Sequence, residues 1–481
     1  MKKGRKDPNK PGIQIQALTD FGQAIKKGDI GVKLSFLFMG VGYGVRGQWL
    51  KGIFVTLIEI AFIIMCIFYA APNLAKFGTL GTVEREAYFD PLTMQQTVND
   101  YDNSFLILLN SIIALFLIFC FIVFYFNNII SVYRLQVLAE KGRRIDTTKD
   151  NLKAIVGKDF YVTLLSLPTI GVILMNIIPI LVLICIAFTN YDQNHMPPNS
   201  LLDWVGFENF TKLFTQGMGN YFGYAFSKIL GWTLLWAVLA TLTTFLGGIL
   251  LAMLINKKGI KFPKMWRTMF IVAIAVPQFV TLLLVRNFFA DSGIVNTICA
   301  DIGVTDLLKS IGLVSKNLNY IPFLTSPGWT KFMIVMINIW VGVPYQMIVA
   351  TGVLMNIPTD QLESARIDGA NSWQVFWKIT MPYILSIQGP ALITDFVKNI
   401  NNFNVIYLLT QDVYITPDQY LANANAKEVD LLVTWLFRLT NEYYNYKMAS
   451  VIGIIVFIIC ATFTIISFSK AIGGDREGVY Q

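Results

Sequence analysis

The sequence predicts an all-α membrane protein with about eight transmembrane helices. Three observations support this fold class. Hydrophobic residues make up 55% of the 481 residues and charged residues only 14%, which is too little charge to cover the surface of a soluble protein of this length. The apolar residues occur in long blocks, and a spanning helix needs roughly 20 such residues. Short stretches rich in Lys and Arg alternate with these blocks.

The apolar blocks define the expected spans and their orientation. We predict spans at 53–71, 105–130, 164–188, 229–255, 268–285, 331–355, 383–409 and 448–468. With these spans, every basic loop falls on one side of the membrane, which is normally the cytoplasmic side. We therefore expect a multi-pass protein with both termini in the cytoplasm. The same asymmetry explains the formal net charge of +8, so nucleic-acid binding is not expected.

The chain is expected to divide into four regions. Residues 1–52 form a basic cytoplasmic segment, in which the apolar stretch 32–43 is too short to span. We expect this stretch to form an interfacial helix or to pack on the bundle. Residues 53–160 hold the first two spans and a basic loop, 161–469 hold the other six spans, and 470–481 form a cytoplasmic tail.

Catalytic chemistry is not expected from this chain. It contains no GxxxxGK[ST] phosphate-binding loop, so it lacks the usual means of hydrolysing ATP. Its single histidine, His195, lies in a predicted loop without metal-ligand spacing around it, and its five cysteines form no CxxC pair. We therefore predict no catalytic residue, no metal site and no cofactor.

The predicted inner loop 356–382 contains signals for two short helices that meet at an elbow. Asp360 and Glu363 have the spacing of an N-terminal capping box, and Gly369 suits a left-handed helix end. Asn371 and Gln374 offer a second N-cap with its reciprocal partner. The second helix is rich in aromatic residues, which are Trp373, Phe376 and Trp377. Such a surface could fold against the bundle or dock another protein, and composition leaves both possibilities open.

The seventh predicted span carries a polar stripe. Asp395, Asn399 and Asn402 stand at i, i+4 and i+7 and therefore share one helix face. Lys398 is three residues from Asp395, close enough on a helix to pair with it. Ionisable groups in a membrane cost about 2.5–3.5 kcal/mol each, so this face should meet a cavity or a partner. Its amide and carboxylate groups could bind sugar hydroxyls, or they could only join helices to one another.

The loop 356–382 closely resembles the EAA loop of ABC importer permeases. The matching positions are Glu363, Ser364, Ala365, Asp368, Gly369, Ile379 and Pro382. Ser364 stands where the family consensus has alanine. The resemblance implies that this loop docks into a cleft on a cytoplasmic ATPase, which hydrolyses ATP on the permease's behalf and is coupled to transport through the loop.

Three other runs resemble the larger permease subunit of maltose/maltodextrin importers. They are 340–345, 399–410 and 430–435, and the likeness covers about 160–481. It implies the transmembrane domain of a type I ABC importer, with the permease core at 161–469. By the same resemblance the sugar contacts are Gly342, Tyr345, Asp395, Asn399, Asn402 and Asn404. Asp395 replaces a small hydroxyl residue of the family pattern, and Asn404 replaces an aliphatic one.

The resemblance also implies a set of partners in the bacterial cell membrane. These are a second permease subunit in a heterodimer, two copies of an ABC ATPase subunit, an extracellular sugar-binding protein, an oligosaccharide substrate and membrane lipid. Three alternatives remain at this point. The chain could serve an importer of another sugar. It could be a secondary transporter, although no matched internal repeats are evident. A channel-like or scaffold protein would leave the EAA pattern to chance.

Overall fold

The computed structural model describes residues 13–90, 94–147, 150, 153–154, 156–157, 160–215, 220–257 and 259–472. Over these ranges it is mostly helical, and six helices are long and apolar enough to cross a membrane. The predicted fold class is therefore confirmed, while the count of eight spans stays a prediction. The N-terminal residues 1–12 and most of the predicted tail 470–481 lie outside the described residues. By its internal packing the chain forms two compact units, Met1–Val205 and Gly206–Gln481.

The first unit contains six helices and one small sheet among its described residues. They are α1 (Ile13–Lys27), α2 (Ile30–Leu34), α3 (Val41–Gly44), α4 (Trp49–Phe77), β1 (Ala87–Asp90), β2 (Gln95–Val98), α5 (Ser104–Glu140) and α6 (Phe160–Ile186). The two strands pair antiparallel, with Ala87 opposite Val98. This hairpin is an addition to the all-α prediction.

The described part of the second unit is helical. Its helices are α7 (Glu208–Phe214), α8 (Phe222–Ile255), α9 (Pro263–Ala275), α10 (Gln278–Phe288), α11 (Ile294–Asp301), α12 (Val304–Ser310), α13 (Pro327–Leu354), α14 (Thr359–Ile367), α15 (Ser372–Val375), α16 (Met381–Ile400), α17 (Phe403–Thr410), α18 (Gln419–Asn423), α19 (Leu432–Asn441) and α20 (Tyr446–Ile472). A π-helical turn, Phe376–Thr380, joins α15 to α16. Two further π turns lie within α4 and α6.

Each of the three π turns ends two residues before a proline, at Pro72, Pro179 and Pro382. A proline inside a helix lacks the N–H donor, and its ring clashes with the carbonyl group four residues earlier. Widening the preceding turn relieves this clash while the helix continues. The sequence therefore determines where these long helices are distorted.

Helices α8 and α13 of the second unit pack against each other very closely. A Cβ atom built on Gly248 would lie only 2.4 Å from Cβ of Gln346, and one built on Gly342 would lie 2.7 Å from Cγ2 of Thr244. Only glycine permits such backbone proximity. The contact fixes Gln346 of α13 at a defined position against α8.

Two of the predicted spans are not continuous helices. The predicted fifth span, 268–285, is interrupted between α9 and α10, where Val276 and Pro277 take extended backbone angles. The predicted seventh span, 383–409, is interrupted between α16 and α17 at Asn401 and Asn402. Both breaks border the same cavity of the second unit.

Candidate functional site

A cavity of about 500 Å³ opens within the second unit between α8, α13 and the two interrupted helices. All six residues predicted as sugar contacts line it. The polar lining consists of Thr244, Gln278, Thr281, Asn338, Tyr345, Gln346, Asp395, Lys398, Asn399, Asn401, Asn402 and Asn404. The structure thus brings together residues from five helical segments that are far apart in the sequence.

The break after α16 places helix ends at the cavity. Asn402 has extended backbone angles, and its side chain accepts a hydrogen bond of 3.4 Å from the Val405 N–H, as an N-cap does. At the other side of the break, the indole of Trp236 donates to the Asn399 carbonyl at 3.0 Å. Helix ends carry partial charges, so this wall of the cavity is polar even where the side chains are neutral.

Asp395 pairs across the cavity wall with an amide and not with the lysine on its own helix. Nε2 of Gln346 donates to Oδ2 of Asp395 at 2.8 Å, which joins α13 to α16. Among the residues that the structure describes, Lys398 forms no ion pair, and its side chain is exposed at the cavity. The sequence spacing allowed an Asp395–Lys398 pair, and the described residues do not form it. The reason is that the close contact of α8 and α13 brings Gln346 within reach of the carboxylate.

The asparagines of the stripe are partly engaged by the protein itself. Nδ2 of Asn399 donates to Oγ1 of Thr241 at 3.0 Å, and Nδ2 of Asn402 lies 3.4 Å from Oδ1 of Asn399. One hydrogen bond of Asn399 therefore joins α16 to α8, as the alternative role of the polar stripe predicts. Asn404 at the start of α17 is exposed towards the cavity.

Tyr345 presents an accessible aromatic ring to the cavity, since 56% of this residue is exposed. Its neighbour Pro344 lies inside α13 and is buried. Gly342, on the preceding turn of α13, lies against Thr244 and lines the cavity without a side chain of its own. An exposed ring beside several amides can bind a molecule that has both apolar and hydroxyl-bearing faces.

The loop 356–382 forms the predicted elbow. Gly369 has a φ of +79°, and the Ala370 N–H donates to the Ala365 carbonyl at 2.9 Å, which closes the end of α14. The next helix begins with the reciprocal capping box of Asn371 and Gln374, with both hydrogen bonds below 3.0 Å. The predicted glycine elbow and second N-cap are thus confirmed as geometry.

The expected first capping box is wrong. Helix α14 begins after Pro358, which has an extended ψ of 122°, and no side chain caps this end. Asp360 lies inside the first turn, so it cannot accept the bonds of an N-cap. It still carries negative charge at the helix start, where the helix dipole favours it.

Most of the residues expected to contact an ATPase are accessible on this loop. Glu363, Ser364, Asp368 and Gly369 are exposed, Ala365 and Ile379 are half-buried, and Pro382 is exposed at the start of α16. The aromatic side chains beyond the elbow cluster with one another, and Trp373 remains 70% exposed. An exposed aromatic cluster of this kind is typical of a surface that binds a partner.

Sequence reasoning missed several cavity residues. Gln278 and Thr281 follow the break of the fifth predicted span at i and i+3. On α8, Thr244 lines the cavity, and Thr241, three residues earlier, accepts a hydrogen bond from Asn399. Polar pairs at helical spacing inside apolar blocks were the available signal. Gln346 gave no such signal, because it stands alone among apolar residues.

Comparison with known proteins bears directly on this site. The maltodextrin transport system permease protein MalC of Streptococcus pneumoniae is 33% identical over 92% of this chain and 95% of its own length. MdxF, the corresponding maltodextrin permease of Bacillus subtilis, is 32% identical over the same shares. The chain belongs to the maltodextrin-type permease family. The galactooligosaccharides permease GanP of Bacillus subtilis is 31% identical over 87% of this chain and 93% of its own length.

A family model also matches a large part of the second unit. Residues 245–472 match the family described as "Binding-protein-dependent transport system inner membrane component". This range contains the cavity residues of α13 and α16, the loop 356–382 and the helix α20. The protein is therefore a multi-pass cell membrane protein and a sugar permease of an ABC transport system. The roles of its individual residues are proposals.

Proposed function

We propose that this chain is the permease subunit of an ABC importer for maltodextrin-like oligosaccharides and forms their path through the membrane. The cavity of the second unit is the observation that carries the proposal, because all six residues expected to bind sugar line it. The maltodextrin permeases at 33% and 32% identity support the substrate class.

The cavity chemistry suits a neutral sugar. The Tyr345 ring can stack on the apolar face of a pyranose, and Asn402 and Asn404 can bind its hydroxyl rim. Asp395 can accept from a hydroxyl with the oxygen that Gln346 leaves free. Gly342 allows the sugar to approach the backbone of α13. Asn399 binds through the oxygen of its amide, since its Nδ2 donates to Thr241.

Transport also needs an energy source outside this chain. In our proposal the chain pairs with a second permease subunit, and two copies of an ATPase hydrolyse ATP on the cytoplasmic side. The loop residues that form the coupling surface are Glu363, Ser364, Ala365, Asp368, Gly369, Ile379 and Pro382. An extracellular binding protein delivers the sugar. The basic loops and both termini face the cytoplasm, as the charge distribution indicates.

A galactooligosaccharide is the second candidate substrate. The permease GanP is 31% identical to this chain, nearly as similar as the maltodextrin permease of the same organism. Both substrate classes offer pyranose rings and hydroxyl rims, so the cavity residues alone do not separate them. Uptake of a panel of maltodextrins and galactooligosaccharides by the assembled complex in liposomes distinguishes the two.

Replacing Tyr345 with alanine tests the cavity as the sugar site. Loss of a stacking contact is worth about 0.5–1.5 kcal/mol, so we expect sugar uptake to become roughly two- to tenfold weaker. Tyr345→Phe keeps the ring and should retain most of the uptake. Phe332→Ala removes an exposed aromatic side chain from the same helix away from the cavity and is the matched control. Parental uptake by an intact Tyr345→Ala complex at limiting sugar would exclude the stacking role.

A further inference from the structure

The chain segment before the first long helix doubles back on itself. Helices α2 and α3 form its two limbs, and the base is closed by an ion pair of 2.9 Å between Asp29 and Arg46. Arg46 also donates to the Gly42 carbonyl at 2.8 Å. On the other side, the Asp29 N–H donates to the side chain of Gln136 on α5 at 2.9 Å. Residues 29–48 therefore form a hairpin with a fixed base.

The tip of this hairpin is held by polar side chains of the two neighbouring helices. The hydroxyl of Tyr125 donates to the Phe36 carbonyl at 2.8 Å, and the amide of Asn128 donates to the Met39 carbonyl at 3.1 Å. The Met39 N–H donates to the carboxylate of Glu59 on α4 at 2.9 Å. Three backbone groups at the tip thus each have a side-chain partner on a long apolar helix.

The tip lies well inside the apolar part of both helices. Glu59 follows Lys51 by eight residues, and Tyr125 precedes Arg134 by nine residues, with no charged residue between in either case. At a rise of about 1.5 Å per residue, the tip lies roughly 12–14 Å beyond these charged residues. The polar layer of a bilayer is only about 5–8 Å thick on each side, so the tip reaches the hydrocarbon region.

The surface of the hairpin agrees with this depth. Leu37 and Phe38 at the tip are 68% and 53% exposed, as lipid-facing side chains would be. Met39 and Tyr43 are buried in a cluster with apolar residues of α4 and α5. The limb after the tip passes close to α4, since a Cβ atom on Gly40 would lie 2.1 Å from the Gly52 carbonyl oxygen.

We propose that residues 29–48 form a re-entrant hairpin, which enters the membrane from the face that carries the basic residues 141–144 and returns to it. A carboxylate inside a span is unfavourable, and this cost is offset only if the group has a partner at that depth. A backbone N–H or carbonyl in hydrocarbon likewise needs a partner. Glu59, Asn128 and Tyr125 meet both requirements, and none of them would be needed by a segment lying among the lipid headgroups.

Spin labels on single cysteines measure the depth of the tip. In a full-length variant without the five native cysteines, one label replaces Phe38 at the tip and a second replaces Ile60, beside Glu59. A third label replaces Leu50 near the base; all three positions are exposed. In the assembled complex in liposomes, we expect the Phe38 and Ile60 labels to be reached by oxygen and shielded from a polar nickel chelate. The Leu50 label should lie about 15 Å nearer the surface than the Ile60 label.

A Phe38 label at the depth of Leu50 would overturn the hairpin. Variants of Glu59 provide a second measurement that does not depend on labelling. Glu59→Gln keeps an oxygen acceptor for the Met39 N–H, whereas Glu59→Leu removes it. We expect Glu59→Leu to lower the unfolding temperature and Glu59→Gln to stay near the parent, with Ile60→Leu as the neighbouring control. Equal or higher stability of Glu59→Leu contradicts the proposed partner role.

Discussion

At the scale of single residues, the second unit contains a buried ion pair outside the cavity. Asp430 and Arg438 lie 3.1 Å apart, with side chains only 1% and 4% exposed. The carboxylate also accepts from the Lys427 N–H at 2.8 Å and from the Thr434 hydroxyl at 3.1 Å. Its lone pairs are therefore well satisfied, and removing one partner leaves a buried charge without compensation.

Arg438→Met should destabilise the chain strongly. We expect a loss of about 3–5 kcal/mol in the free energy of unfolding, because Asp430 then stays buried without its charged partner. The double variant Arg438→Met, Asp430→Asn should recover part of this loss. Thermal unfolding of the purified complex measures the effect. The pair of Arg286 and Asp412 is the control, because its carboxylate is 69% exposed and Arg286→Met should therefore cost less than about 1 kcal/mol. Similar losses for both arginines would contradict the importance of burial.

Residues on one helix face could be predicted from the sequence, and contacts between helices could not. Asp395 and Asn399 share a face of α16 through helix geometry alone, whereas Asn402 lies in the break that follows, and all three line the cavity. Gln346, the partner of Asp395, lies 49 positions away, and only the packing of α8 against α13 brings it near. Local spacing offered Lys398 as a nearer partner, and the sequence held no signal that favours Gln346 over it.

At the scale of elements, hydropathy located the apolar segments but not their interruptions. Averaging over a window of about 19 residues conceals a break of two residues, so 268–285 and 383–409 read as continuous spans. Pro277 was the available signal for the first break. The second break has no proline, and Asn402 ends the regular helix by capping the next one.

Gly369→Trp should uncouple ATP hydrolysis from uptake while the protein still inserts. A tryptophan cannot adopt a φ of +79° without strain, and its bulk would stand on the proposed ATPase-binding surface. Gly312→Trp is the matched control, because Gly312 has a φ of +77° with open space around it but lies far along the chain from the loop. ATPase activity and sugar uptake of both complexes are measured together. Normal uptake by a well-expressed Gly369→Trp complex would count heavily against the coupling role.

At the scale of the whole molecule, the orientation in the membrane is a prediction of the charge pattern. Cysteines at Arg143, in the basic loop after α5, and at Asn199, after α6, occupy exposed positions on opposite sides of a predicted span. In a background without native cysteines, an impermeant thiol reagent added to intact cells should label only Asn199→Cys. Arg143→Cys should react after the cells are opened. Labelling of both positions from the same side would contradict the predicted topology.

The boundary between the two units was the feature that the sequence predicted least well. Composition and resemblance suggest a permease core at 161–469, whereas internal packing groups the residues up to Val205 in the first unit. Helix α6 falls between these two boundaries, and only 11% of its most apolar window is buried. Because α6 packs little against the rest of the chain, its sequence has no buried face that would indicate which unit it belongs to. The predicted regions therefore stay a prediction, and the matched family range begins only at residue 245.

The contact between Gly248 and Gln346 also limits how this protein can diverge. Any side chain at position 248 would overlap backbone and side-chain atoms of Gln346, which in turn holds Asp395 at the cavity. A single substitution there changes the spacing of two helices and the cavity wall together. Descendants of this gene should therefore keep glycine at 248 for as long as the cavity is under selection. Exposed apolar positions such as Leu250, on the same helix, are free to exchange one apolar residue for another.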